Sequence, residues 1–192
     1  HLAKEGELWK HLGWTVGETV IGFTAGTLLG IIIAIILWWS DYVSRVLDPY
    51  IVVLESIPKV ALGPIFVVWL GTNMTAVIAM AVAVSVIVTV MMMHIGFKEV
   101  DPNKVKLART FGATKFQVLT KVIIPASIPT MIAALKVSVG LSLVGTIVGE
   151  FLASKAGLGY LIIYGGQVFN MSLVMASILL LAIVSIILYV FV

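Results

Sequence analysis

"KEVDPNKVKLARTFGATKFQVLTKVIIP", residues 98–125, is the polar island of an oily chain: it holds six of the twelve Lys and Arg in a sequence of 192 residues that is 61% hydrophobic and 11% charged. Asp101-Pro102 marks a helix start within it, because the carboxylate can cap free backbone N–H groups and proline suits the first helical position. Gly112 marks the stop, since glycine tolerates the left-handed conformation that closes a helix. A second short helix is expected from about residue 113 to 122, broken at Pro125 before Pro129 opens a longer one. Segment 96–122 therefore reads as a structured helix–turn–helix, longer than a plain connection requires. Two readings of it stand side by side: a docking surface for a cytoplasmic partner, or a basic loop that touches lipid headgroups.

Outward from this island the chain is apolar. A mean hydropathy of +1.17 excludes an ordinary soluble domain and points to an integral membrane protein. About 20 mostly apolar residues cross the hydrocarbon core as a helix. Five segments qualify, at about 15–39, 47–70, 74–94, 129–151 and 173–192. The isoelectric point near 9.2 is no argument for nucleic acid as a partner, because the net charge is only +3 and its basic residues are concentrated in one loop. Without cysteines there are no disulfides and no thiolate metal sites. The chain starts at His1 and stops at Val192 inside an apolar run, as expected of one membrane domain, 1–192, cut from a longer polypeptide; no signal peptide is read from this start.

Short loops rich in Lys and Arg stay cytoplasmic, which orients the bundle. Loop 96–122, with Lys98, Lys104, Lys106, Arg109, Lys115 and Lys121, is placed inside. By alternation "SDYVSRVLD" with Arg45 is also inside. "GTN" at 71–73, the amino-terminal "HLAKEGELWKHLGW" and the glycine-rich stretch 152–172 lie outside, where Lys4, Lys10 and Lys155 are a minority against the rule.

The spans carry further candidates. "LESIPKVALGP" sets Pro58, Gly63 and Pro64 in an apolar helix, and broken backbone is tolerated at membrane depth where it is buried in protein or lines a cavity. Glu55 and Lys59, four residues apart, can pair; a structural ion pair near the cytoplasmic end is the stronger reading, and pathway lining by Glu55, Ser56 and Pro58 the weaker. Ser85, Thr89, Ser138, Ser142 and Thr146 can bond substrate, although such residues more often bond helix to helix. Glu150 closes the fourth span at its outer end, with the wet interface as its default setting and a gate or a binding-protein contact as the sharper ones. Lys136 is expected near enough to the cytoplasm to snorkel. Gly22, Gly26 and Gly30 form a packing face of the first span. Trp9, Trp14, Trp38 and Trp39, with Glu18, lie toward its ends, the tryptophans as interfacial anchors. His94 after Met91-Met92-Met93 is a packing residue, since nothing completes a metal site.

Three ordered motifs then resemble one family, the inner-membrane permeases of binding-protein-dependent ATP-binding-cassette importers. Its cytoplasmic signature is E-A-A, three residues, Gly, nine residues, Ile, one residue, Leu-Pro. Lys106-Leu107-Ala108, Gly112, Val122 and Ile124-Pro125 fill it with every spacing kept. "IPKVALGPIFVVWLG" and "VGEFLASKAGLGYLI" agree with the branch for nitrate, sulfonates, taurine and pyrimidine-type vitamin precursors. The resemblance covers nearly the whole chain and favours docking over lipid contact. It implies an all-α polytopic protein with the five-helix core of the type I importer permease. It also implies a docking element at Lys106, Leu107, Ala108, Arg109, Thr110, Phe111, Gly112 and Ala113, within a coupling helix of about 102–111. The partners implied are a second permease copy, in this branch usually identical, two cytoplasmic ATPase subunits that hold ATP and Mg, an external substrate-binding protein, and the bilayer. The pathway would draw on Glu55, Ser56, Pro58, Ser85, Thr89, Ser142, Thr146 and Glu150. Lys106 replaces the family's Glu and Leu107 its middle Ala, so that Glu's ionic contact does not carry over. Members of the branch have one more span before these five and a cytoplasmic tail after them. No G-x-x-x-x-G-K-[ST] loop occurs, as expected of a chain that binds no nucleotide or other cofactor and is not an enzyme. A secondary transporter coupled to an ion gradient, with Glu55 or Glu150 on the ion, is the alternative; a membrane enzyme lacks convergent catalytic groups.

Overall fold

A computed structural model describes residues 7–192; residues 1–6, Lys4 among them, lie outside the described residues. The described chain is helical throughout: α1 Glu7–Trp39, α2 Asp41–Ser56, a 3₁₀ turn Lys59–Leu62, α3 Gly63–Leu70, α4 Met74–Lys98, α5 Pro102–Thr110, α6 Lys115–Val118, a π turn Leu119–Ile123, α7 Ile124–Ala153, α8 Leu158–Gln167 and α9 Met171–Phe191. Among the described residues four helices are long and apolar enough to cross a membrane: Leu8–Trp39, Met74–Lys98, Lys115–Ala153 and Met171–Phe191. Helices and closed barrels alone satisfy backbone polar groups inside lipid, which is why an oily chain without strand signals becomes a helix bundle.

Two expected spans come out differently. The second is not one helix: α2 and the segment Lys59–Leu70 meet at an 85° bend. Ile57 is extended there, with ψ 130°, as a residue before proline prefers, and Pro58 has no N–H to continue the ladder. The fourth does not open at Pro129, because one helix runs from Lys115 to Ala153 through both Pro125 and Pro129. The wider π turn immediately before Pro125 opens the hydrogen-bond ladder where the proline ring would otherwise crowd it. The glycine-rich stretch after the fourth span is not a plain loop either, since it contains α8.

Glycines let the central helices touch. Gly22 faces Ala81, Gly26 faces Ser85 and Gly30 faces Thr89, so the packing face of α1 meets α4 of the same chain. From the other side, Cβ atoms added at Gly145 and Gly149 would lie 2.7 Å and 2.8 Å from the Cα atoms of Ala81 and Val77. Lipid supplies no hydrophobic drive between helices, so close backbone approach of this kind, with its dispersion contacts, holds α1, α4 and α7 together.

Two apolar clusters position the polar parts. At the α5 end Ala34, Met93, Phe97, Val118, Leu119, Ile123 and Ala134 are buried together, with Val105, Ala108 and Ala113 packed against them. At the opposite end Leu143, Leu158, Leu161, Leu181 and Val184 do the same for α8 and α9. The peripheral α2 is tied to α4 by polar groups. Lys98 Nζ lies 3.2 Å from Asp48 Oδ2 and donates to Ser44 Oγ at 3.1 Å, while the buried His94 Nε2 is 3.1 Å from the same Ser44 hydroxyl.

Candidate functional site

The helix–turn–helix of α5 and α6 is built as its sequence dictates. Asp101 Oδ1 accepts from the Asn103 N–H at 2.8 Å, capping α5, and Pro102 takes the first helical position. At the other end Ala113 N–H donates to Ala108 O at 3.1 Å and Gly112 N–H to Arg109 O at 2.9 Å. This six-to-one and five-to-two pair closes a Schellman turn around Gly112, whose φ is +81°. Thr114 then opens α6 with a capping box: Gln117 N–H donates to Thr114 Oγ1 at 3.3 Å, and Thr114 N–H to Gln117 Oε1 at 2.8 Å. The T-x-x-Q pattern was legible in the sequence, although the expected start at residue 113 lies two residues early.

The eight docking candidates separate by face. Val105, Ala108 and Ala113 turn inward onto the apolar cluster at the α5 end. Leu107 is 58% exposed and Phe111 82% exposed, with Phe116 beside them at 64%. Lys106 and Arg109 lie on another side of α5 and line a cavity beneath it; Thr110 donates to Lys106 O at 3.0 Å. Two large apolar side chains one turn apart, held out on a helix whose back is anchored, form a knob that an apolar cleft could receive.

The α8 end holds a second polar construction. Glu150 is 1% exposed, so the expectation of a wet-interface carboxylate does not hold. Its Oε1 accepts from the Thr15 hydroxyl at 2.6 Å and its Oε2 from Gly159 N–H at 2.6 Å. Thr15 Oγ1 accepts from Leu158 N–H at 2.8 Å, and His11 Nδ1 accepts from Gly157 N–H at 2.9 Å. Side chains from α1 and α7 thus satisfy the orphan donors at the start of α8, where the helix dipole also favours a carboxylate. Gly157, with φ +108°, leaves no room for a side chain because the Glu150 carboxyl occupies that space. Glu18, also 1% exposed, lies against Glu150 with its Oε2 unpartnered among the described residues. Thr15 and His11 were missed in the sequence because they lie some 140 residues from their partners.

The remaining pathway candidates are scattered. Lys59 Nζ lies 2.9 Å from Glu55 Oε2 and donates to Glu55 O at 2.9 Å, closing the bend beside Pro58, while Ser56 Oγ donates to Val52 O at 2.9 Å. Ser85, Thr89, Ser138, Ser142 and Thr146 are all fully buried. Thr89 Oγ1 and Ser138 Oγ lie 2.6 Å apart, and Ser142 Oγ donates to Thr19 O at 3.2 Å, so these groups join α1, α4 and α7. Lys136 has its ammonium 5.1 Å from the Tyr189 ring centroid, a partner on α9 that the snorkelling expectation lacked. Among the described residues no group of three or more His, Cys, Asp or Glu is gathered as a metal site.

Comparison with known proteins bears on both ends of the molecule. Residues 26–192 match the family model described as "Binding-protein-dependent transport system inner membrane component". A "Probable ABC transporter permease protein" of Haemophilus influenzae is 33% identical over 182 residues, covering 95% of this chain and 74% of the relative. "Formylaminopyrimidine transport permease protein ThiX" of Halalkalibacterium halodurans is 31% identical, covering 81% of this chain and 62% of the relative. "Taurine transport system permease protein TauC" of Escherichia coli is 28% identical, covering 93% and 65%. The chain thus spans roughly two thirds of the length of its curated relatives. Among solved structures, a chain of the inward-facing MetNI methionine ABC transporter superposes with a TM-score of 0.85 at 18% identity, over 98% of this chain and 94% of that one.

Proposed function

The chain belongs to the binding-protein-dependent transport inner-membrane component family, a multi-pass permease subunit of the bacterial inner membrane and not an enzyme, and from that premise we propose that α5 with its Gly112 turn couples it to a separate ATPase. The observation that carries this reading is the exposure of Leu107 and Phe111 on a helix whose opposite side is anchored in the cytoplasmic cluster. Two copies of the chain form the pathway, and two ATPase subunits, which hold ATP and Mg²⁺, each seat one α5 in an apolar cleft. An external binding protein delivers the solute to the side of α8 and Glu150. Closure of the ATPases draws the two α5 helices together and switches the pathway from inward- to outward-facing. The relatives named for formylaminopyrimidine and taurine support a small polar solute of the pyrimidine-precursor or sulfonate class. Nothing in the relatives supports the ion-gradient alternative.

The test is a double substitution, Leu107→Ala with Phe111→Ala. Both side chains are exposed, so folding is expected to survive while the ATPase no longer co-purifies with the permease. Retention of the ATPase at wild-type stoichiometry would overturn the proposal. Uptake into vesicles that follows an imposed ion gradient, without ATP, would restore the alternative.

A further inference from the structure

Behind the apolar knob of α5 lies a cavity of about 350 Å³. It sits between the cytoplasmic ends of α1 and α4 and the pocket-facing side of α5. Four cations line it, Lys98, Lys106, Arg109 and Lys115, against one carboxylate, Asp41. Two of the four are occupied. Lys98 is paired with Asp48 at 3.2 Å, and Lys115 donates to Trp39 O at 2.5 Å with its ammonium 5.8 Å from the Trp38 ring centroid. Lys106 and Arg109 make no ion pair among the described residues. The floor is apolar, formed in part by Leu37 and Phe97.

Depth distinguishes this cavity from an ordinary basic surface. Trp38 and Trp39 end α1, and tryptophans at the end of a membrane helix sit at headgroup level. A cavity with cations around its mouth, an indole wall and an apolar floor at that level matches the order of groups in a phospholipid: phosphate, glycerol, acyl chain. Basic pockets between helices on the cytoplasmic side suit anionic headgroups, and the cytoplasmic leaflet is the one that carries negative charge.

We propose that this cavity binds the phosphate of an anionic phospholipid headgroup through Lys106 and Arg109, placing a lipid behind the coupling helix while Leu107 and Phe111 face the opposite way. The proposal does not depend on what occupies the apolar knob. A bound lipid would brace α5 against α1, so the lipid composition of the inner leaflet would bear on how stiffly the helix transmits a push.

The test uses the assembled transporter, exchanged into detergent with equal amounts of phosphatidylglycerol and phosphatidylcholine, with retained lipid counted by native mass spectrometry. The variants are Lys106→Gln with Arg109→Gln, the single Lys106→Glu, and Lys104→Gln. The last removes one positive charge from α5 at a residue that does not line the cavity. Each cation near an anionic surface contributes about fivefold in affinity, so the double variant is expected to lose the preference for phosphatidylglycerol by on the order of 30-fold. Lys106→Glu is expected to abolish the preference, and Lys104→Gln to keep it within about twofold. The proposal is overturned if the unaltered transporter shows no preference, or if Lys104→Gln loses as much as Lys106→Glu, which would mean diffuse surface charge only. It is also overturned if millimolar inorganic phosphate strips the lipid completely, which would mark a free-anion site.

Discussion

Gly112 has a φ of +81°, and a Cβ built there would meet nothing within 4 Å. Substitution at this position is therefore a pure test of backbone conformation, with no clash to confuse it. An ordinary L-residue in the left-handed region costs roughly 1–2 kcal/mol, asparagine a smaller part of that, and a β-branched residue more. The expected order of damage is Asn, then Ala, then Val, which is not the order of size. Because α5 must be presented as a preformed element, the penalty passes into docking: about fivefold weaker ATPase association for Gly112→Ala, and more than tenfold for Gly112→Val. The assay is ATPase affinity for the purified permease, measured beside thermal unfolding in detergent, with solute moved per ATP hydrolysed in proteoliposomes as the functional readout. Val is expected to uncouple hydrolysis from transport while the unfolding midpoint barely moves, since Gly112 lies outside the buried clusters. Two results would refute the reasoning: Val at wild-type affinity and coupling, or Asn more damaging than Ala, which would indicate crowding by a partner and not backbone strain.

Other outcomes follow from the same geometry. Glu150→Ala strands the Gly159 N–H in a buried site and leaves the Thr15 hydroxyl only the His11 carbonyl, 3.3 Å away, so the protein should lose about 1–3 kcal/mol of stability, with Glu150→Gln losing less because one amide oxygen still accepts; unchanged unfolding of the alanine variant would show that the knot around α8 is not structural. Gly145→Val pushes a side chain into the backbone of α4, where Ala81 Cα is 2.7 Å from the ideal Cβ, and should cost about 1–3 kcal/mol or more. Gly140→Ala meets nothing within 4 Å and should instead stabilise by up to about 1 kcal/mol through helix propensity. Equal unfolding midpoints for these two variants would contradict the packing described for α7.

The sequence by itself determined what local chemistry controls. Hydropathy alone selected a helical membrane bundle, because lipid leaves the backbone few other ways to satisfy its polar groups. Asp101-Pro102 and Gly112 set the ends of α5 through capping and left-handed φ, which depend on no distant residue. Spacing in the motif around Gly112 carried the family. Tertiary structure alone decided the rest. Whether Pro125 ends a helix depended on a π turn and on packing of Leu119 and Ile123 into the apolar cluster at the α5 end, and the helix ran on. Whether the glycines of α1 met their own chain depended on which helix lay opposite, and it was α4. Glu150 read as a surface carboxylate because its partner Thr15 stands at the far end of the chain, as does His11, which accepts the neighbouring Gly157 N–H. Only folding brings them to the first turn of α8, where buried N–H groups require acceptors. Likewise Lys106 and Leu107 are neighbours in sequence but face different surroundings, because a residue's place on a helix is fixed by its period, and what that face meets is fixed only by the fold.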